Sequence, residues 1–380
     1  MSNTYCPYPF MSASLQADNT VLPCGQFMKS IHFQKVIPIQ EVRNGKFMNE
    51  MRRKMLAGEH VDGCQCPAEE ALGIRSMRQN ALDRFGFTTE TKLRKLELVF
   101  DNVCNLKCRS CGTPNSHLWH EDEMAVYGIT FVDKKYIKNT IYQEVDFTDL
   151  ECIEVLGGEP MLSPGTSEFF KKAIELDVLK NLTIQISTNG MILPPEIIQT
   201  ALLNCKSLEL TVSIDAYGEF NDYVRSGSDW NQISSNLHFY YKLFEQRQGA
   251  TKVAVHTTVS IYNVNQIDLL DKFLLENFPK FSRTKQVLQF PVFMSIKNTS
   301  NEYKDLVRPL IADQFIIDYL DSDGEDYFAH FINFSNQLDS LRKEQIKDGN
   351  PFLSNYIESY PYKVSNSKEF LAQSINDIKN

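Results

Sequence analysis

The sequence predicts an α/β protein built on a partial (β/α)6 TIM-like barrel, with a small cysteine-rich module before the barrel and helices after it. From Leu93 onward, short β-rich runs alternate with helical stretches, the pattern of parallel strands joined by crossover helices. Such units close into a full or partial barrel. The 380 residues are 42% apolar and 23% charged, enough for a full-sized core. We expect three parts, with boundaries at residues 1–92, 93–297 and 298–380.

Six β-rich runs are the predicted strands: Lys95–Phe100, Cys152–Leu156, Thr183–Ser187, Leu208–Ile214, Val253–Ser260 and Val287–Met294. Four helical patterns separate them, near Ser167–Leu176, Pro195–Leu203, Asn231–Phe244 and Gln266–Leu275. In the first part, a helix is predicted at Lys46–Gly58, because Phe47, Met51 and Met55 are four residues apart and a glycine follows.

Charge and cysteine usage restrict the function. A net charge of -9 argues against a protein held along nucleic acid, since such binding needs many Lys and Arg contacts. The first residues carry no secretion signal, and no apolar run reaches the roughly 20 residues of a membrane span. We therefore expect a cytoplasmic protein without membrane attachment. The nine cysteines would then be reduced, and clustered thiols in that setting more often serve metal binding or catalysis than disulfides.

Three cysteines follow the first predicted barrel strand as C-x3-C-x2-C: Cys104, Cys108 and Cys111. Three thiolates this close can hold three irons of a cubane cluster and leave the fourth iron open. The alternative is zinc, which takes a fourth ligand, and His117 and His120 follow at workable spacing. Spacing alone leaves both alternatives open.

A second motif, Gly157-Gly158-Glu159-Pro160, follows the second predicted strand. Together, the two motifs resemble the radical S-adenosylmethionine (radical SAM) superfamily over about Leu93 to Met294. The resemblance implies a catalytic [4Fe–4S] cluster on the three cysteines and an open iron that chelates the amino and carboxylate groups of S-adenosyl-L-methionine (SAM). It also implies that the Gly-Gly-Glu-Pro segment approaches the methionine amino group, where glycine allows close contact.

Weaker matches follow the next strands. Asn189, in Ser-Thr-Asn-Gly, resembles the turn after the third strand of the family. Ser213 and Asp215 resemble its ribose-binding segment, and Arg225 resembles an arginine that meets the SAM carboxylate. Ser213 and Asp215 could also be a cap or turn pair, Arg225 a surface ion pair, and Glu159 a partner of a nearby lysine.

Four further cysteines precede the barrel: Cys6, Cys24, Cys64 and Cys66. With the pattern Glu70, Gly73, Ser76, Arg78, they resemble the twitch module, a half-sized relative of the SPASM domain that binds one auxiliary [4Fe–4S] cluster. This chain departs from that module in having one residue, Gln65, between the last two cysteines where two are usual. A zinc-stabilised mini-domain is the alternative, because four thiolates satisfy tetrahedral zinc.

The resemblance implies a radical SAM enzyme that cleaves SAM to a 5′-deoxyadenosyl radical, which abstracts hydrogen from a peptide or small-metabolite substrate. We expect an electron donor such as a flavodoxin or ferredoxin, and an outcome of oxidation or bond formation. Epimerisation is the alternative, with Cys152 or Cys205 as the hydrogen donor, although both are predicted to be small buried hydrophobes. A zinc-binding scaffold or interaction protein is the alternative from a different class.

Overall fold

The computed structural model describes residues 4–28, 38–71, 73, 75–247 and 249–361. The end of the expected C-terminal extension, residues 362–380, lies outside the described residues. No helix in the described ranges is long and apolar enough to cross a membrane.

Within these ranges, one sheet has eight strands: β1 (Ser12–Leu15), β2 (Val21–Leu22), β3 (Lys95–Val99), β4 (Cys152–Leu156), β5 (Thr183–Thr188), β6 (Ser207–Ser213), β7 (Ala250–Val259) and β8 (Ser282–Val287). The strand order is β2-β1-β3-β4-β5-β6-β7-β8. The pairs β1–β3, β3–β4, β4–β5 and β7–β8 are parallel, while β1–β2 is antiparallel. The predicted α/β class with a mostly parallel sheet is confirmed.

The α-helices of the described ranges are α1 (Tyr8–Met11), α2 (Ile39–Asn44), α3 (Lys46–Ala57), α4 (Cys66–Ala71), α5 (Met77–Phe85), α6 (Trp119–Tyr127), α7 (Pro164–Glu175), α8 (Glu196–Asn204), α9 (Glu219–Val224), α10 (Trp230–Gln246), α11 (Ile267–Asn277), α12 (Asn301–Val307), α13 (Gln314–Leu320), α14 (Phe328–Arg342), α15 (Ile346–Gly349) and α16 (Pro351–Ser359). Short 3-10 turns lie at Ile141–Glu144, Leu179–Asn181, Val264–Gln266, Val292–Met294, Ile296–Asn298 and Arg308–Leu310.

Local pattern predicts the regular elements well. Strand β4 has the predicted bounds, and α3 ends one residue before Gly58, whose φ of 77° is left-handed. Met51 and Met55 of α3 are buried as the spacing predicts, whereas Phe47 is 39% exposed. The helix therefore turns a methionine face to the core.

The prediction of the last strand, at Val287–Met294, is wrong. The apolar run Val287–Met294 shares only Val287 with β8, which occupies the polar segment Ser282–Val287 instead. Pro291 interrupts the apolar run, because proline has no N–H to donate to a ladder, and a 3-10 turn follows at Val292–Met294. Strand β8 is an edge strand of the sheet. Charged residues are common in edge strands because they discourage pairing with a strand of another molecule.

The first two strands of the sheet were not predicted. Strand β1 lies parallel to β3, with Ser12 opposite Lys95 and Leu15 opposite Leu98. The segment Ser12–Leu15 is short, and three of its four residues are serine or alanine, so its composition does not indicate a strand. The first part of the chain therefore extends the sheet that the barrel segment begins.

The chain divides into two compact units. Unit 1 comprises the described residues up to Asn102, together with Tyr136–Ile186 and Pro194–Glu209. Unit 2 comprises Val103–Lys135, Ser187–Leu193 and the described residues from Leu210 onward. The boundary runs through strands β5 and β6, whose first residues belong to unit 1 and whose last belong to unit 2. The three-part division expected from the sequence stays a prediction.

A substitution at Gly349 of α15 tests how closely this helix packs against Tyr223 of α9. A Cβ added at Gly349 would lie 2.4 Å from Cβ of Tyr223. We expect Gly349→Ala to lower the free energy of unfolding by about 1–3 kcal/mol, because overpacking displaces the tyrosine. Urea denaturation followed by circular dichroism measures the loss. Lys347→Ala, at an exposed position of the same helix, is the control and should change the midpoint little. Equal midpoints for Gly349→Ala and the wild type would contradict this packing.

Candidate functional site

Three thiols converge in the loop of unit 2 that begins after Asn102. Cys104, Cys108 and Cys111 are each partly buried. Burial raises the pKa of Cys111, and the nearby Cys108 and Cys104 thiols raise it further. The three sulfurs are thus close enough to interact electrostatically, as the C-x3-C-x2-C spacing predicts.

Side chains outside the loop fix its backbone. The indole Nε1 of Trp119 donates to the Cys108 carbonyl at 2.9 Å. Ser116 Oγ donates to the Leu106 carbonyl at 2.7 Å, and the Cys111 N–H donates to the Cys108 carbonyl at 3.0 Å. Because Trp119 is fully buried, these bonds are shielded from water.

The zinc alternative relied on two histidines downstream of the loop. His117 Nδ1 accepts a hydrogen bond from the Cys104 N–H at 3.3 Å, so this ring nitrogen is bonded to the loop backbone. In the part of the chain that the structure describes, no three His, Cys, Asp or Glu side chains are placed around a position for a single metal ion, and this holds for the thiols as well as the histidines.

Asn189, after β5, lies beside the first cysteine. Its Nδ2 donates to Asn105 Oδ1 at 2.8 Å and lies 3.9 Å from Cys104 Sγ. Asn189 Oδ1 accepts from the Met191 N–H at 2.9 Å. The amide is therefore fixed against the cysteine loop, as expected for a residue of the same site.

Arg225 lies near the cysteines and is buried. Its Nη1 forms an ion pair with Asp215 Oδ2 at 2.8 Å, and its positive charge opposes the rise in the pKa of Cys108 that burial causes. Its Nε has no hydrogen-bond partner among the described residues. A buried guanidinium N–H without an acceptor is costly, which makes Nε a candidate donor to a bound anion.

Asp215 is held on both oxygens, since Oδ1 accepts from the Thr258 N–H at 2.8 Å while Oδ2 pairs with Arg225. Ser213 is the last residue of β6. The two therefore flank the end of a strand, where ligands gather in parallel α/β folds.

The Gly-Gly-Glu-Pro segment belongs to unit 1 and closes on the end of β3. Gly157 has a φ of 117°, and a Cβ there would lie 2.9 Å from Val99 Cγ1 and 3.1 Å from the Asp101 carbonyl. The Gly158 N–H donates to that same carbonyl at 3.3 Å. Only glycine fits at position 157, so close packing against β3 by itself explains why the residue there is glycine.

Glu159 and Pro160 are buried at the start of the loop that leads to α7. Glu159 is 1% exposed, and its Oε1 accepts from the Met161 N–H at 3.0 Å. A carboxylate that accepts backbone donors is fixed in orientation.

The four cysteines of the first segment also converge, within unit 1. The charge of each thiol acts on the others: Cys6 with Cys24 and Cys66, Cys24 with Cys66, and Cys64 with all three. Burial raises the pKa of Cys6, and that of Cys24 to about 12. A hydrogen bond between the Cys64 and Cys66 thiols lowers the pKa of Cys66 to about 7 and raises that of Cys64. One intervening residue, Gln65, thus lets both thiols face the same site.

The Glu70, Gly73, Ser76, Arg78 pattern forms one network beside these thiols. Ser76 caps α5 with Gln79 in a capping box, and Arg78 forms an ion pair with Glu70. Arg78 Nη1 also donates to the Tyr5 carbonyl at 3.2 Å, next to Cys6. The pattern therefore ties the segment of Cys66 to that of Cys6.

Sequence comparisons show which known proteins the segment with this site resembles. Residues 98–270 match the family model described as the Radical SAM superfamily. This segment is similar to the radical SAM superfamily. The match supports the prediction that the chain is a radical SAM enzyme, because it covers all three loop cysteines and the Gly-Gly-Glu-Pro segment.

The individual relatives of this chain are distant. The chain is 23% identical over 224 residues to a GTP 3′,8-cyclase of Alkaliphilus oremlandii, and the alignment covers 56% of this chain and 60% of the relative. SuiB of Streptococcus suis bound to S-adenosylmethionine is 16% identical, with 75% of this chain and 62% of SuiB covered and a TM-score of 0.36. SuiB bound to the precursor peptide SuiA is 15% identical, with 84% and 74% covered and a TM-score of 0.39. The chain thus spans less than two thirds of the cyclase.

Sequence reasoning missed the residues that hold the cysteine loop from the C-terminal side. Arg109, between Cys108 and Cys111, is fully buried and pairs with Asp339 at 2.5 Å and Glu344 at 2.6 Å. Arg342 Nη1 donates to the Lys107 carbonyl at 2.7 Å. No local signal identifies such partners, because more than 200 residues separate them from the loop.

Gly157→Ala tests the close approach of the Gly-Gly-Glu-Pro segment to β3. We expect it to lower the free energy of unfolding by at least about 2 kcal/mol, because backbone strain and overpacking act together. Gly86→Ala is the matched control, since Gly86 has a φ of 68° but nothing lies within 4 Å of an added Cβ. Urea denaturation should show a larger loss at position 157, and equal losses would refute the packing argument.

Proposed function

We propose that this chain is a radical SAM enzyme that abstracts hydrogen from a peptide or small-metabolite substrate and yields an oxidised or newly bonded product. The observation that carries the proposal is the placement of Cys104, Cys108 and Cys111 in one loop whose backbone bonds to the turn of Arg225, within a segment that matches the family model. The name of the curated relative, a cyclase, is in keeping with bond formation.

The three loop cysteines fit a [4Fe–4S] cluster. Their thiols are partly buried, and Cys108 and Cys104 raise the pKa of Cys111, so deprotonating the three thiols together requires a compensating positive charge. Iron supplies that charge, and three ligands leave one iron of a cubane open. When bound, the cluster supplies the electron that cleaves SAM to the 5′-deoxyadenosyl radical.

The chain's own residues would bind and orient SAM. Arg225 Nε is a buried donor suited to the SAM carboxylate, while Asp215 holds the other side of the same guanidinium. Asn189 lies against the cysteine loop, and we assign it to the same site. Gly157, Gly158, Glu159 and Pro160 would receive the methionine amino group, and a ribose contact through Ser213 and Asp215 stays a prediction.

The four cysteines of the first segment fit a second, auxiliary [4Fe–4S] cluster. All four thiols interact, and Cys64 with Cys66 form the closest pair, so a ligand set of Cys6, Cys24, Cys64 and Cys66 is feasible despite the single residue between the last two. An electron acceptor in that position would favour oxidation of a substrate radical. A flavodoxin or ferredoxin is the proposed electron donor to the catalytic cluster.

Epimerisation is less well supported, because it needs a thiol that can reach a substrate radical. Cys152 is 1% exposed and donates to Gln185 Oε1 at 3.2 Å. Cys205 is 5% exposed and donates to the carbonyls of Leu202 and Ser207. Both thiols are bonded within the fold of unit 1.

Iron counting with a SAM-cleavage assay tests the catalytic assignment. After anaerobic reconstitution with iron and sulfide, the wild type should hold roughly eight irons per chain. The Cys104/Cys108/Cys111→Ala variant should retain about four and form no 5′-deoxyadenosine under reductant. Cleavage of SAM by that variant would show that the loop is not the catalytic site, and colourless wild-type protein would favour the zinc-binding scaffold.

Variants of the first segment test the auxiliary cluster separately. The Cys64→Ala/Cys66→Ala double variant keeps only two of the four thiols, too few to hold a cubane, and should lower the iron content to about four per chain while reductive SAM cleavage without substrate persists, because the catalytic loop is intact. Cys205→Ala, which removes a buried thiol elsewhere in unit 1, is the control and should retain roughly eight. If the double variant keeps the full iron content, Cys64 and Cys66 are not the ligands of a second cluster.

A further inference from the structure

Two backbone hydrogen bonds join the cysteine loop to the turn that carries Arg225. The Lys107 N–H donates to the Ser226 carbonyl, and the Arg109 N–H donates to the Val224 carbonyl, both at 2.8 Å. These bonds flank Cys108 on one side and Arg225 on the other. The position of the Arg225 guanidinium therefore depends on how the turn is seated against the loop.

Glu344 bonds both segments at once. Its Oε2 accepts from Arg109 Nη2 in the cysteine loop at 2.6 Å, and its Oε1 accepts from the Ser226 hydroxyl in the turn. One carboxylate thus bridges the residue after Cys108 to the residue after Arg225. Charge-assisted bonds of this kind are short and directional, so they fix the spacing between the groups they join.

Both ends of this bridge are rigid. The Arg109 guanidinium is fully buried, stacks 3.7 Å from the centre of the Tyr223 ring and donates through Nε to the Tyr223 carbonyl at 3.0 Å. Glu344 follows the C-terminal end of α14, where Lys343 adopts a φ of 58° and the Glu344 N–H donates to the Asp339 carbonyl at 3.0 Å. The carboxylate is consequently held by the helix end rather than by a mobile tail.

We propose that Glu344 is a positioning residue for SAM: it sets the turn of residues 224–226 against the cysteine loop and thereby aims Arg225 at the SAM carboxylate. This inference rests on the proposed function, in which Arg225 binds that carboxylate. Glu344 touches neither the thiols nor SAM, and it acts through Ser226 and Arg109.

SAM affinity is the direct readout. Holoenzyme with reconstituted clusters is dialysed anaerobically against radiolabelled SAM, and iron is counted on the same samples. Glu344→Ala should weaken SAM binding about tenfold with the iron content unchanged, as expected when a supporting residue of a site is lost. Glu344→Gln, which keeps the shape and one acceptor, should fall between Glu344→Ala and the wild type. Glu358→Ala, at an exposed position of α16, is the control and should bind SAM like the wild type.

Two further variants distinguish a failure of the positioning role from a failure of the proposed function. If Glu344 acts through Ser226, the Glu344→Ala/Ser226→Ala double variant should bind SAM no more weakly than Glu344→Ala alone. Arg225→Gln should weaken SAM binding strongly. If it does not, the proposed carboxylate contact is wrong. The positioning role is overturned if Arg225→Gln weakens SAM binding but Glu344→Ala leaves SAM binding unchanged. It is also overturned if Glu344→Ala lowers the iron content in proportion to the loss of SAM binding. In both cases the proposed function stands.

Discussion

The buried guanidinium of Arg109 is the interaction on which the site of unit 2 depends. A three-thiol loop lacks the regular hydrogen bonds of a helix or strand, so other parts of the chain must fix its backbone. Arg109 brings a full positive charge into the core, and Asp339 and Glu344 neutralise it. Removing one partner of such a buried group leaves an uncompensated charge, which costs several kcal/mol. The end of α14 is for that reason part of the site's architecture.

Unit 1 has a comparable constraint beside its four thiols. A Cβ at Gly25 would lie 2.2 Å from Glu97 Oε1, so a larger residue after Cys24 would displace that carboxylate from its place on β3. Glu97 is 3% exposed, accepts from Ser14 at 2.7 Å and has a pKa raised by burial. Lys95, on the same strand, pairs with Glu154 of β4. The unpredicted strand β1 supplies Ser14, which explains why a short, serine-containing segment joins the sheet.

Much of the fold and the motif residues could be predicted because both depend on local sequence. The apolar spacing of α3 and the β-branched content of β4 are contained within their own segments. Strand β8 could not be predicted in this way, because its charged residues suit an edge position that only the completed sheet defines. The cysteines were identified by spacing, whereas Arg109 and Glu344 are 235 residues apart and meet only in the folded chain.

The central claim is that the loop of Cys104, Cys108 and Cys111 holds a cluster whose open iron binds SAM. Electron paramagnetic resonance of the dithionite-reduced Cys6/Cys24/Cys64/Cys66→Ala variant tests it directly, because one cluster alone would contribute to the spectrum. We expect a cluster signal that changes shape when SAM is added, since SAM becomes a ligand of the iron. A cluster signal that is identical with and without saturating SAM would contradict it.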